Sequence, residues 1–98
     1  MSTESEVTVV HRPDLHRWEA LLDGQVVGYA DYQLSDGLAT FTHTVVEPAQ
    51  EGRGIASRLA RSALDQVRDE GSRTVRPECS YIAGWIDHHP DYRDLLEH

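Results

Sequence analysis

Polar and apolar residues largely alternate through parts of the first half of the chain, as is typical of strands with one buried face. The alternation is clear from Arg17 to Leu22, and Asp23-Gly24 directly after it is typical of a tight hairpin turn. Three further segments, rich in Val, Thr and aromatic residues, are predicted to be strands: Val7 to Val10, Val26 to Leu34 and Leu38 to Val46. Because short turns join these segments, they predict an antiparallel meander.

In the second half of the chain, apolar residues recur with the period of a helix. From Ile55 to Val67 apolar residues recur three and four positions apart, with Arg and Asp residues between them. Gly71 follows at the place where a left-handed C-terminal cap is usual. This segment predicts one amphipathic helix that ends at Gly71.

A short strand and a second helix are predicted after it. The strand covers Thr74 to Arg76, and the helix runs from about Ser80 until Pro90 stops it at His89. The predicted fold class is therefore α+β, an antiparallel meander followed by helix, strand and helix, in a single domain over residues 1–98.

Composition and charge narrow the function. With 39% apolar and 27% charged residues, the 98-residue chain is typical of a globular protein, and no apolar stretch approaches the length of a membrane helix. We expect no membrane association, and the polar start, unlike a signal peptide, predicts a cytoplasmic location. The net charge of -8 argues against nucleic-acid binding and favours cationic partners.

The segment from Glu51 to Ala56 contains two glycines and precedes the long helix. Unpaired amides at a helix N-terminus attract anions, and glycines let a phosphate approach the backbone. A dinucleotide-binding turn would place a third glycine at Ser57, and a nucleoside triphosphate loop would need a lysine, which the chain lacks. On spacing alone, a plain helix cap and a ligand site are equally favoured.

This segment resembles the coenzyme A signature of the GNAT superfamily of N-acetyltransferases. Gly54 and Ala56 match the signature, whereas Glu51 stands where Gln or Arg is common. The resemblance covers nearly the whole chain and is strongest to a short branch of acetyltransferases. The segments that carry it are His43-Thr44-Val45, Arg53-Gly54-Ile55-Ala56-Ser57, Cys79 and His89-Pro90-Asp91-Tyr92.

The resemblance implies a minimal GNAT-like fold that uses acetyl-coenzyme A (acetyl-CoA) as cosubstrate and acetylates a primary amine. It implies that the backbone of Thr44, Val45 and Val46 follows the pantetheine arm. It also implies that the turn holds the pyrophosphate, through Glu51, Gly52, Arg53, Gly54, Ile55 and Ala56. Arg53, Arg58 and Arg61 are candidate phosphate contacts; the alternative is a solvated helix face.

His43 and Cys79 are the candidate catalytic residues. His43 alternates with Phe41 and Val45, which predicts that it lies on the buried face of its strand, either as a structural residue or as the base that deprotonates the amine. Cys79 precedes a predicted helix, which favours the thiolate; the alternative is a small buried hydrophobe. The resemblance implies that Cys79 and His43 face each other across the acetyl group.

Many GNAT enzymes protonate the departing thiolate with a tyrosine on the last helix. Alignment by His89-Pro90 puts Trp85 at that place, which leaves Tyr81 and Tyr92 as substitutes. His88 and His89 lack a second ligand pair at zinc spacing, so no metal is predicted. The fuller fold also has acceptor-building elements that the chain lacks, and so a non-catalytic acyl-CoA-binding or protein-interaction module remains the alternative function.

Overall fold

The computed structural model of the protein describes residues 7–96. The strands are β1 (Val7–Arg12), β2 (Arg17–Leu22), β3 (Gln25–Ser35), β4 (Leu38–Val46) and β5 (Thr74–Pro77). The helices are α1 (Ile55–Glu70) and α2 (Ser80–Asp87), with short 3-10 turns at Pro13–Leu15, Pro48–Gln50 and Pro90–Leu95. None of the helices in residues 7–96 is long and apolar enough to cross a membrane.

The strands form one mixed sheet in the order β1-β2-β3-β4-β5. Neighbours in β1 to β4 are antiparallel, and β5 pairs with β4 in parallel. Asp23 and Gly24, with φ of 52° and 81°, make the left-handed turn between β2 and β3. The predicted α+β class and the antiparallel meander are therefore confirmed.

A β-bulge in β4 changes the face to which its side chains point. Asp31 pairs with His43 but Tyr32 pairs with Phe41, so Thr42 is an extra residue on β4. Ahead of the bulge Phe41 is buried; after it, Thr44 lies opposite the buried Ala30. The alternation is shifted by one residue, which moves a whole set of side chains to the other face.

The predicted burial of His43 is therefore wrong. His43 is exposed and Val45 is 44% exposed, because both point away from the buried face of the sheet. Thr44 and Val46 take the inner positions instead.

The core lies between the sheet and α1, which packs across β1 to β4. The apolar face of α1 supplies six buried side chains: Ile55, Leu59, Ala60, Ala63, Leu64 and Val67. Gly71 caps the helix with φ of 68° and donates its N–H to the Val67 carbonyl, which confirms the predicted end.

The C-terminal segment packs more closely than the sequence indicated. α2 ends at Asp87 rather than at His89. The 3-10 turn after it buries Tyr92 and Leu95, and Leu96 forms a parallel bridge with Val75 of β5. The last described residues therefore belong to the packed domain.

Candidate functional site

A groove opens where β4 and β5 diverge. Their pairing ends at Phe41 and Pro77, and the N–H of Cys79 makes one more bond, 2.9 Å, to the Phe41 carbonyl. Beyond this point the edge of β4 has no neighbouring strand in the described part of the chain. The groove has a volume of about 340 Å³ and is lined by Thr44, Val46, Gln50, Glu51, Gly52, Gly54, Ile55, Ala56, Ser57 and Tyr81.

The glycine-rich turn forms the end of this groove. Gly52 and Gly54 have φ of 90° and 74°, in the left-handed region that favours glycine. Gly54 is the N-cap of α1 and no side chain caps the helix; the first main-chain bond runs from the Arg58 N–H to the Gly54 carbonyl, 3.1 Å. The amides of residues 55–57 thus point outward from a helix N-terminus, the arrangement that binds anions.

Most of the residues predicted to bind a coenzyme line this groove, with two exceptions. Val45 points to the outer face of the sheet, and Arg53 lines a neighbouring hollow. The Glu51 amide donates to the Pro48 carbonyl, 3.3 Å, so the amides free for a ligand begin at Gly52.

Gln50 adds a polar group that no sequence pattern singles out. Its side-chain oxygen Oε1 is buried and has no hydrogen-bond partner among residues 7–96, and Gln50 lines the groove. A buried acceptor without a donor is costly. A bound molecule that donates an N–H to this oxygen would remove that cost.

Three arginines surround a second hollow of about 650 Å³ that shares Gly54 and Ser57 with the groove. Arg58 donates to the Val7 carbonyl, 2.9 Å, and the Arg61 guanidinium lies 5.4 Å from the Trp85 ring centroid. The ion pairs found within residues 7–96 include neither of these nor Arg53. The hollow is therefore a local concentration of positive charge beside the turn.

Tyr81, in the first turn of α2, lines the groove and is 38% exposed. Burial raises the pKa of its phenol, and a hydrogen bond with Ser57 acts in the opposite direction. The Ser57 hydroxyl oxygen also accepts the Trp85 indole N–H, 2.8 Å. Ser57 thus connects Trp85, at the aligned tyrosine place, with the tyrosine that lines the groove.

Tyr92 does not line the groove. It is 5% exposed and donates its hydroxyl proton to the Asp65 carboxylate, 2.6 Å. Of the two tyrosines considered from the sequence, only Tyr81 lines the groove.

Cys79 is the N-cap of α2, and its thiol donates to Thr44 Oγ1, 3.3 Å. It is half-buried and packs against the core. Thr44 is therefore the β4 side chain that meets Cys79, and the predicted partner His43 points to the other face of the sheet.

On that outer face His43 borders a hollow of about 410 Å³ with Asp31 and Thr42. Arg17 donates from Nε to Asp31 Oδ1, 2.9 Å, and its guanidinium carbon lies 4.1 Å from the Tyr29 ring centroid. His88 and His89 each place Nδ1 beside a main-chain carbonyl of α2, and no metal-binding group of three side chains occurs in residues 7–96.

Residues 17–95 match the family described as GCN5-related N-acetyl-transferase. No curated protein matches the sequence significantly.

Solved structures share the fold. The solution structure of a GCN5-like protein from Staphylococcus aureus superimposes with a TM-score of 0.69 at 14% identity, over 98% of this chain and 91% of that one. The ribosomal-protein-S18-alanine N-acetyltransferase of Escherichia coli gives a TM-score of 0.67 at 11% identity, over 88% and 76%. A GNAT acetyltransferase from Brucella melitensis, solved with acetyl-CoA, gives 0.54 at 31% identity, over 60% of this chain and 42% of that one.

Proposed function

Because the chain belongs to the GCN5-related N-acetyltransferase family, we propose that it binds acetyl-CoA in the groove and transfers the acetyl group to a primary amine. The observation that carries the proposal is the uncapped N-terminus of α1, with its free amides beside three arginines that have no acidic partner in the described residues. This site fits a pyrophosphate in both charge and hydrogen bonding.

The groove supplies groups for the rest of the coenzyme. The open edge of β4 offers main-chain donors and acceptors to the two amides of the pantetheine arm, as an added strand would use them. Gln50 Oε1 is a buried acceptor for an N–H on the same molecule. Arg58 and Arg61 are close to the helix start and suit the remaining phosphate charge.

Acetyl transfer to the amine can follow a direct route. The neutral amine attacks the thioester carbon, the carbon–sulfur bond breaks, and the thiolate leaves with the electron pair. Tyr81 returns a proton to the sulfur, since its raised pKa keeps the phenol protonated at neutral pH. The Ser57 oxygen accepts from Trp85, so the Ser57 proton is free to bind the Tyr81 oxygen, and the Tyr81 proton is left for transfer.

We propose that His43, which lies at the bulge on the outer face, is the base that removes the proton from the acceptor amine. An acceptor amine that enters the hollow beside Asp31 and Thr42 would meet the imidazole there. The net charge of -8 favours an acceptor that is cationic overall. A ribosomal protein is the acceptor named for the similar E. coli enzyme, and a protein or a small amine would both suit an open hollow.

Cys79 lies one hydrogen bond from the groove wall at Thr44, and we propose that it contacts the acetyl group. It forms part of the wall in the direct route and would itself be acetylated in a two-step route. Cys79→Ala and Cys79→Ser separate these roles. Loss of turnover in both variants, with an acetylated Cys79 trapped in the wild type without amine, supports the two-step route; retained turnover in Cys79→Ala supports the direct one.

The second candidate function is a non-catalytic acyl-CoA-binding module. The observation that favours it is Trp85, which has no acidic proton at the aligned tyrosine place and whose N–H is bound to Ser57.

Calorimetric titration with acetyl-CoA and a thiol-release assay with mixed primary amines test both functions. Binding with amine-dependent thiol release supports the enzyme, whereas binding without release supports the module. Absence of binding at millimolar acetyl-CoA contradicts both.

A further inference from the structure

A separate cavity, distinct from the groove, lies at the other end of the molecule. It has a volume of about 230 Å³ and lies between the sheet and the last turns of α1. α1 has 16 residues and is therefore about 24 Å long, with the glycine-rich turn at its start and Gln66 and Glu70 of the cavity at its end. The proposed acetyl transfer gives no role to the side chains of this cavity, although His16 and Tyr32 also border the hollow beside His43.

Aromatic rings form a large part of the cavity wall. Trp18 and Tyr32 are each 6% exposed and Phe41 is 1% exposed. His11 stacks on Trp18 with ring centroids 4.1 Å apart, and Leu34 lies at the cavity with 41% of its surface exposed. The volume exceeds the roughly 150 Å³ of an apolar cavity that takes up benzene. A single substituted ring matches this size and lining.

The hydrogen bonds at the cavity leave one donor unused. Gln66 Nε2 donates to Glu70 Oε2, 3.3 Å. This bond fixes the orientation of the Gln66 amide, because the Glu70 carboxylate would repel the amide oxygen in the same place. The same nitrogen lies 3.3 Å from His11 Nδ1, so Nδ1 acts as the acceptor.

A neutral His11 then carries its proton on Nε2 and donates it to the Tyr32 hydroxyl oxygen, 2.5 Å away. The Tyr32 hydroxyl proton is left without an acceptor in residues 7–96. A nearly buried donor without an acceptor is energetically costly, and an acceptor on a bound molecule would remove that cost.

The charges at the cavity cancel. Glu70 pairs with Arg73, with Nη1 and Oε1 3.3 Å apart. Burial lowers the pKa of His11 and the Glu70 charge only partly offsets this, which favours the neutral imidazole. A ligand with a full charge of either sign would find no counter-ion here that is not already paired.

We propose that this cavity is a binding site for a small, neutral, monocyclic aromatic compound whose carbonyl or ether oxygen accepts the Tyr32 hydroxyl proton. The site is separate from the coenzyme groove, and its existence does not depend on acetyl transfer.

Titration with acetophenone, a neutral ring with one carbonyl, tests the proposal by ¹H–¹⁵N NMR of the whole protein. The two indole N–H signals report on the two sites, because Trp18 lines the cavity and Trp85 lies beside the groove. Acetophenone should shift the Trp18 signal saturably and leave the Trp85 signal in place. Ethylbenzene, which has the ring without the acceptor, should bind more weakly.

Two variants sharpen the test. Tyr32→Phe should weaken acetophenone binding by about fivefold, the value of one hydrogen bond, and leave ethylbenzene binding unchanged. Unchanged ethylbenzene binding also shows that the cavity is intact in the variant. Leu34→Trp, at a partly exposed position, should fill the cavity and abolish both.

A Trp18 signal that acetophenone does not shift up to its solubility would overturn the proposal. So would tighter binding of benzylamine or benzoate than of acetophenone, or a Tyr32→Phe variant that loses both neutral ligands equally.

Discussion

At the scale of single residues, the hydroxyl of Ser57 connects the two helices at the groove. It accepts the Trp85 indole N–H at 2.8 Å, and it opposes the effect of burial, which raises the pKa of the Tyr81 phenol. Trp85 is 5% exposed and stacks on His89 with ring centroids 3.8 Å apart, so the indole is held in place. A tryptophan at the aligned tyrosine place is therefore compatible with the proposed transfer, in which Tyr81, one turn earlier, is the acid.

The first prediction concerns that tyrosine. Tyr81→Phe keeps the ring and removes the acid, so kcat should fall by roughly 100-fold or more while the Kd of acetyl-CoA stays within about twofold. Steady-state kinetics and calorimetry give the two values. Tyr92→Phe is the matched control: its hydroxyl is bound to Asp65, so kcat should be kept. If Tyr81→Phe turns over at the wild-type rate, the assignment of the acid is wrong.

The second prediction is a pH dependence of stability that comes from His11. Burial lowers the pKa of His11 below 6.5, with Glu70 as the charge that opposes the shift. The unfolded chain therefore binds this proton first as the pH falls, and the fold loses stability. His11 contributes its full stability above about pH 6.5, and the contribution is lost as the pH falls through the lower pKa of the folded state.

Melting temperatures of the wild type and His11→Gln between pH 7.5 and 5 measure this contribution. The variant should show a flatter profile below about pH 6.5. His88→Gln, at the exposed histidine that follows the end of α2, is the control and should keep the wild-type slope. Parallel profiles for the wild type and His11→Gln would contradict the prediction.

At the scale of secondary-structure elements, turn residues made the strand bounds predictable. β2 and β4 have the predicted bounds, since Asp23-Gly24 ends β2 and Asp36-Gly37 separates β3 from the start of β4. His43 was predicted on the wrong face of β4, because the extra residue at Thr42 cannot be recognised from the alternation of polar and apolar residues. Burial of Gln50 and the Leu96 bridge depend on contacts distant in sequence, which local patterns do not contain.

The third prediction uses the two glycines that cap α1. Gly54 at its start and Gly71 at its end have φ of 74° and 68°, so alanine costs about 1–2 kcal/mol of folding stability at either position. Only Gly54 lines the groove. Gly54→Ala should weaken acetyl-CoA binding by about tenfold, roughly one hydrogen bond to a charged group, because its Cβ keeps the pyrophosphate from the backbone.

Gly71→Ala is the matched control, with equal backbone strain and unchanged coenzyme affinity expected. Thermal melts and calorimetric titrations of both variants provide the comparison. Equal losses of affinity in the two variants would mean that strain in α1, and not access to the turn, controls binding.

At the scale of the whole molecule, the charge is divided unevenly. The chain carries a net charge of -8, yet Arg53, Arg58 and Arg61 cluster beside the start of α1. The cluster suits the phosphates of a coenzyme, while the acidic remainder attracts cations. The two ligands of the proposed reaction have opposite charges, and each has a region of matching potential.

The last prediction follows from this division. At saturating acetyl-CoA, kcat/KM for the trivalent cation spermidine should fall by about five- to tenfold when the NaCl concentration rises from about 20 to about 200 mM, because salt screens the acidic surface. The singly charged ethanolamine should show a shallower fall. Arg53→Gln should raise the KM of acetyl-CoA and leave the salt slope for spermidine unchanged, since this arginine belongs to the coenzyme side. The chain has no lysine of its own, so product that appears without added amine cannot come from lysine self-acetylation. Values of kcat/KM that do not change with ionic strength, or a preference for glutamate over both amines, would contradict a cationic acceptor.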